Sequence, residues 1–129
     1  ERFGGDNLIS LATAVDSTPF VRTVNACYID GSFYIITHAL SGKMDQLRKN
    51  PAAAICGDWF TARGAGEDLG WFCRPENAGL AARLRKVFAK WIDNGHNNFD
   101  DQNTIILRIR LESGVLFHHG TRYDIDFTD

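Results

Sequence analysis

Two hydroxyls and an ammonium fall within one short run, Thr37-His38-Ala39-Leu40-Ser41-Gly42-Lys43. The run follows Phe33-Tyr34-Ile35-Ile36, whose aromatic and β-branched residues predict a strand, and it precedes Met44–Lys49, which predicts a short helix. The chemistry such a junction suits is anion binding. The first amides of a helix lack intrahelical acceptors, and the helix dipole favours negative charge at that end. Hydroxyls donate to phosphate oxygens, and a lysine adds a compact point charge. Arg22, in the run Arg22-Thr23-Val24 on a preceding strand, supplies a second cation. Ser41 is placed to cap the helix as well, the two roles being compatible. His38 lies inside the run, where it can touch a ligand through its backbone or deliver a proton. The glycine spacing of a Walker loop is absent, so nucleotide hydrolysis is not implied.

The elements that must hold these residues follow from pattern. Leu8–Val15 predicts a first strand and Asp16-Ser17-Thr18-Pro19 a turn. Phe20–Ile29 predicts a second strand whose alternation puts Phe20, Arg22, Val24, Ala26 and Tyr28 on one face. Asp30-Gly31 signals a tight hairpin, so the third strand runs back and ends at Thr37. Lys43–Lys49 makes about two helical turns, with Met44 and Leu47 to one side, and Asn50-Pro51 stops it. Ala52–Phe60 predicts a fourth strand. Thr61–Leu69 continues the sheet, with Gly64 and Gly66 marking a bulge or the close approach of another group.

A long helix opens near Pro75 and carries the apolar stripe Leu80, Leu84, Val87, Phe88 and Trp91, with Asn94-Gly95 as its left-handed end. Arg83, Arg85, Lys86 and Lys90 form its solvated faces. His96–Asn103 reads as a polar loop containing Asp100-Asp101, which lacks the spacing of a calcium loop. Thr104–Leu111 alternates as a half-buried strand, Glu112-Ser113-Gly114 turns the chain into Val115–His118, and Tyr123–Phe127 makes a last short strand. The sum is a mainly β fold: an antiparallel Greek-key barrel of six to seven strands with one long and one short helix packed outside, which the resemblance described below makes a split barrel.

Composition sets the bounds. The 129 residues are 44% hydrophobic and 23% charged, which fits one soluble globular domain over 1–129. A net charge of -2 offers no broad field to nucleic acid. No apolar run reaches the roughly 20 residues of a membrane helix, and no signal peptide is visible. The chain starts at Glu1 without Met, so a preceding segment is expected. Cys27, Cys56 and Cys73 are an odd number without metal spacing. Cys27 and Cys56 sit in apolar runs and are expected to pack as buried residues. Reduced thiols suit the cytoplasm.

In order and spacing these pieces resemble the pyridoxamine 5'-phosphate oxidase-like superfamily, the flavin-binding split barrels, over most of the chain. Leu11-Ala12-Thr13 and Pro19-Phe20-Val21-Arg22-Thr23-Val24 look like its first two strands. Tyr34-Ile35-Ile36-Thr37, with Ser41 and Lys43, looks like its phosphate segment, and Asn50-Pro51-Ala52-Ala53-Ala54-Ile55 like its passage from helix to strand. The resemblance implies a homodimer that binds FMN in clefts between subunits and passes hydride or electrons through the flavin to a small-molecule substrate or electron donor. Thr37, Ser41 and Lys43 would then hold the phosphate, while Arg22, Thr23 and Val24 would lie along the isoalloxazine ring. His38 would contact the cofactor within the phosphate segment, and Trp59 would reach the partner's flavin. The Arg-rich C-terminal segment by which true pyridoxamine phosphate oxidases grip their substrate is missing from Gly120-Thr121-Arg122-Tyr123-Asp124-Ile125-Asp126-Phe127. The resemblance therefore extends to the flavin site and not to that substrate.

Other readings compete. The same fold could be a non-catalytic flavin-binding or sensing module, a plain structural dimer, or a split barrel holding deazaflavin or haem. Haem would need an axial ligand, for which His118 or His119 are the candidates. A metal site at His118-His119 is disfavoured, because adjacent strand residues point to opposite faces.

Overall fold

Paired left-handed residues make the first two hairpins. Asp16 and Ser17, at φ 49° and 70°, join β1 (Asn7–Val15) to β2 (Thr18–Ile29). Asp30 and Gly31, at φ 46° and 85°, join β2 to β3 (Ser32–His38). Two consecutive positive φ values give a turn whose twist matches that of the flanking strands. The computed structural model describes residues 5–90, 92 and 99–128. After β3 come α1 (Gly42–Lys49), β4 (Ala52–Gly57), β5 (Phe60–Trp71), a 3-10 turn (Pro75–Asn77), α2 (Ala78–Val87), β6 (Thr104–His118) and β7 (Thr121–Asp126).

All strand pairings are antiparallel, in the order β3-β2-β1-β4-β5-β6-β7, and an added β3–β6 ladder closes the first six into a barrel. The arrangement 3-2-1-4 is a Greek key, because α1 carries the chain across from β3 to pair β4 with β1. One edge of β6 is divided: Thr104–Arg110 pairs with β3, and Ser113–His118 pairs with β7. The expected turn at Glu112-Ser113-Gly114 is therefore not a turn. β6 runs through it unbroken, and a register shift opposite Arg63/Gly64 absorbs the irregularity. Gly64 lies at this bulge, where a Cβ would stand 2.1 Å from the Arg110 carbonyl oxygen. At Gly66 a Cβ would meet Leu47 at 2.9 Å, so α1 rests directly on the strand there.

Two cores result. Inside the barrel, Ile9, Leu11, Ala26, Phe33, Ile35, Ile55, Leu107 and Ile109 pack with Met44 and Leu47 of α1, and Val24 and Tyr28 join from β2. Outside it, Cys27 and Ile106 on the opposite strand faces pack under Leu84, Phe88 and Phe72. The alternation in β2 therefore serves two cores at once. Arg85 tops the outer core, its guanidinium 4.5 Å from the Phe99 ring centre and 5.3 Å from that of Phe72.

Several boundaries shift from the sequence reading. The fourth strand stops at Gly57, and Asp58-Trp59 turn the chain into β5 with Trp59 at φ 59°. Pro75 opens a 3-10 turn, and α2 proper ends at Val87. Trp91 and Asn94-Gly95 lie outside the described residues. Cys56 is exposed rather than buried, because it falls on the outward phase of β4. Among the described residues no helix is long and apolar enough to cross a membrane.

Candidate anion-binding site

The site begins where β3 ends. The Ala39 N–H donates to the Asn103 carbonyl at 2.6 Å and the Ser41 N–H to the His38 carbonyl at 3.0 Å, which bends the chain sharply into α1. Lys43, in the first turn of α1, reaches back over this loop, and its Nζ donates to Thr37 Oγ1 at 2.9 Å. Ser41 stands at the N-cap with extended backbone, yet its side chain makes no capping bond. Its Oγ is buried with no hydrogen-bond partner among the described residues. An unsatisfied buried hydroxyl costs about 1–3 kcal/mol, so the site lacks an acceptor at that point. Of the three residues that the sequence singled out, Thr37 and Lys43 are thus hydrogen-bonded to each other, and Ser41 stands between them in the chain at the start of α1.

Arg22 approaches from the inward face of β2. Its Nη1 donates to the Leu11 carbonyl at 3.2 Å and to Thr13 Oγ1 at 3.0 Å, and its Nη2 donates to Gln46 Oε1 at 2.5 Å. Thr13 Oγ1 in turn donates to Gln46 Oε1 at 2.7 Å. The network ties β1, β2 and α1 together. Neither Arg22 nor Lys43 forms an ion pair with a carboxylate among the described residues. Burial lowers the proton affinity of both, and the neighbouring Arg22 charge lowers that of Lys43 further. Two half-buried cations that repel each other without a counter-ion favour an anion arriving from outside.

Arg22, Thr23 and Val24 do not present a single surface. Arg22 and Val24 face inward, whereas Thr23 faces out beside Ser10. What they share is a strand edge. β2 pairs with β1 along Thr18–Ala26, but it pairs with β3 only over Cys27–Ile29. At Arg22–Val24 the second edge is therefore open, with backbone donors and acceptors available to a planar heterocycle.

His38 is exposed and braces the loop. The Leu40 N–H donates to its Nδ1 at 3.3 Å, which leaves the ring proton on Nε2, 3.2 Å from Asp101 Oδ2. The Asn103 N–H, then His38, hold the Asp101 carboxyl below its usual range. Asp101 is thus more than a polar turn residue. Trp59 is 72% exposed and lies beyond the Ser10–Cys56 pair, at the end of β4 away from α1. It borders a slot of about 330 Å³ with Phe117, His119 and Gly120. His118 and His119 do not split between core and solvent as alternation required. Both are exposed, with ring centres 4.0 Å apart, because His119 sits in the β6–β7 turn at φ 50°.

Sequence reasoning missed Thr13, Gln46 and Asp101. Thr13 had a signal: it is a hydroxyl at an inward position of β1, following Ile9 and Leu11. Gln46 lies three residues after Lys43 and so on the same side of α1. A larger depression occupies the outward face of the sheet, about 660 Å³, floored by Ala12, Val21, Ala54 and Val115. Arg63 rises from β5 between Ala54 and Ser113, and Asp124 and Asp126 line the β7 side.

No family model and no curated protein matches the sequence. Solved structures do match the fold. A pyridoxamine 5'-phosphate oxidase-related, FMN-binding protein from Nostoc punctiforme is 14% identical, with 93% of this chain and 86% of that chain covered and a TM-score of 0.59. A FAD-binding protein from Mesorhizobium loti is 20% identical over 87% and 86%, with a TM-score of 0.64. A haem-binding protein from Mycobacterium smegmatis is 16% identical, with a TM-score of 0.70; 94% of this chain is covered, but only 53% of that one. The closed six-stranded barrel with its extra strand is thus the fold that these solved structures share.

Proposed function

We propose that the chain is an FMN-binding member of the pyridoxamine 5'-phosphate oxidase-like family, acting as a flavin-dependent oxidoreductase on a small molecule. The observation that carries this reading is the pair of uncompensated cations, Arg22 and Lys43, beside the orphaned hydroxyl of Ser41. These residues fit a phosphate monoester. Lys43, Thr37, Ser41 and the first amides of α1 would hold the phosphate, and the open β2 edge at Arg22–Val24 would face the ring. Bound flavin supplies hydride or single-electron chemistry that no side chain here can perform. Arg22 would add positive charge near a ring that becomes negative on reduction.

A second copy of the chain would complete the ring end of the site. The outward depression has an apolar floor with Val21 71% exposed, and it carries Arg63 on β5 and Asp124 and Asp126 on β7. In a two-fold pair Arg63 of each copy would face Asp124 and Asp126 of the other. Trp59 is free to extend toward the partner's flavin. Cys27, Cys56 and Cys73 as reduced thiols would suit the reducing cytoplasm.

The test is a visible spectrum of the isolated protein, followed by melting with and without added FMN. A flavin spectrum, or a melting shift worth about 2.7 kcal/mol at one hundred times the dissociation constant, supports the reading. No flavin band and no shift at saturating FMN overturns it. Haem is the second reading, favoured by the exposed His118–His119 pair beside the Trp59 slot and by the haem-binding protein of the same fold. A Soret band abolished by substituting both histidines would establish it in place of flavin.

A further inference from the structure

Gln46 lies outside the run that carries Thr37, Ser41 and Lys43, yet with the Leu11 carbonyl and Thr13 it holds Arg22 in place. Chemistry alone fixes its orientation. Arg22 has only donors, so the Gln46 atom 2.5 Å from Nη2 must be the amide oxygen. Thr13 Oγ1 already accepts from Arg22 Nη1, so its single hydrogen turns to the same oxygen at 2.7 Å. With the carbonyl saturated, the amide nitrogen faces the other way. A Cβ placed on Gly42, the first residue of α1, would lie 3.9 Å from Gln46 Nε2. The NH2 group therefore points back along the helix toward its amino end, and it donates to none of the described residues.

The choice of an amide matters. A carboxylate at this position would pair with Arg22 and neutralise it. A neutral carbonyl holds the guanidinium in place and leaves its charge available. We infer that Gln46 is the positioning and specificity residue of the site: its carbonyl fixes Arg22 without cancelling its charge, and its amide hydrogens meet the ligand's phosphate, so that a phosphate monoester is preferred over the same molecule lacking it. This rests on the reading of the β3–α1 junction as a phosphate site.

The test compares FMN with riboflavin, which has the same ring and no phosphate, by fluorescence titration of the wild type, Gln46→Glu and Gln46→Met. Wild-type binding of FMN comes first; its absence would refute the phosphate site itself, and this inference with it. Given that binding, Gln46→Glu is expected to weaken FMN on the order of 10- to 100-fold, the effect of one added negative charge at close range. Gln46→Met should weaken it about 3- to 10-fold through loss of the donor and the tether. Riboflavin affinity should stay within about 2-fold for both. A merely structural glutamine would lower both ligands together and lower the melting temperature. Gln46→Glu should melt no lower than the wild type, because it gains an ion pair with Arg22; should it fail to fold, Gln46→Met carries the comparison. FMN binding as tight as wild type in the variants, or riboflavin falling in step with FMN, overturns the inference.

Discussion

Replacing Lys43 by Met removes one charge while keeping most of the side-chain stem, and so isolates the electrostatic part of phosphate binding. Two unit charges about 4 Å apart interact by about 4 kcal/mol at the effective dielectric of a protein surface. Lys43 is half-buried, and both partners lose hydration on meeting, so about half of that should survive. A net 2 kcal/mol is about a 30-fold loss of affinity for FMN. The free protein should hardly notice. The Lys43 bond to Thr37 contributes about 1 kcal/mol. Against it stand the burial of the ammonium and the repulsion from Arg22, both of which disfavour its charge. The assay is titration of flavin fluorescence with FMN and with riboflavin, alongside thermal melts of both proteins without ligand. Loss of FMN affinity at constant riboflavin affinity and nearly constant melting temperature is the expected pattern. FMN binding within 2-fold of wild type, or an equal loss for riboflavin, would refute the assignment of Lys43 to the phosphate.

Ser41→Ala deletes a buried oxygen that has no partner among the described residues, so the free protein should be as stable or more stable by up to about 1 kcal/mol, while FMN affinity drops about 5-fold; paired melts with and without FMN check both signs. The pH dependence follows from Lys43. Its proton affinity is lowered in the folded chain, so as pH rises toward the usual 10.5 the folded chain releases a proton that the unfolded chain still holds. Stability of the free protein should therefore gain a contribution from Lys43 in that window. The FMN-induced melting shift should shrink there, because the deprotonated amine no longer attracts phosphate; a shift that holds constant through the window removes Lys43 from the site. Val21→Asp places a carboxylate on the floor of the outward depression. Sedimentation should then give a mass of 14.4 kDa, where the wild type gives twice that. A monomeric wild type, or a variant that stays paired, argues against this face as the interface.

Local chemistry was legible in the sequence and long-range chemistry was not. Asp30-Gly31 announced its hairpin because few other dipeptides adopt two positive φ values cheaply. The strand-to-helix junction at Thr37–Lys43 was visible because capping and anion binding use the same residue types. Thr13 and Gln46 are 33 residues apart and meet only once the Greek key has laid α1 across β1. Nothing local to either residue points to the other. Asp58-Trp59 escaped as a turn because it holds none of the glycine that usually marks one. Gly114 misled in the opposite sense: within a 15-residue strand it is a close backbone contact, with a Cβ only 3.0 Å from the Thr61 carbonyl oxygen. Where bulges replace turns, composition cannot tell them apart.

The divided edge of β6 leaves the barrel sealed whether or not its final strand is present. β7 therefore hangs outside the closed circuit with one side unpaired, which would invite another chain to add on. Arg122, Asp124 and Asp126 crowd this six-residue ribbon with charge, and Arg122 is already held by Asp124 at 3.0 Å. Such a border discourages runaway stacking of sheets, while Ile125 and Phe127 hold the ribbon down on the barrel core.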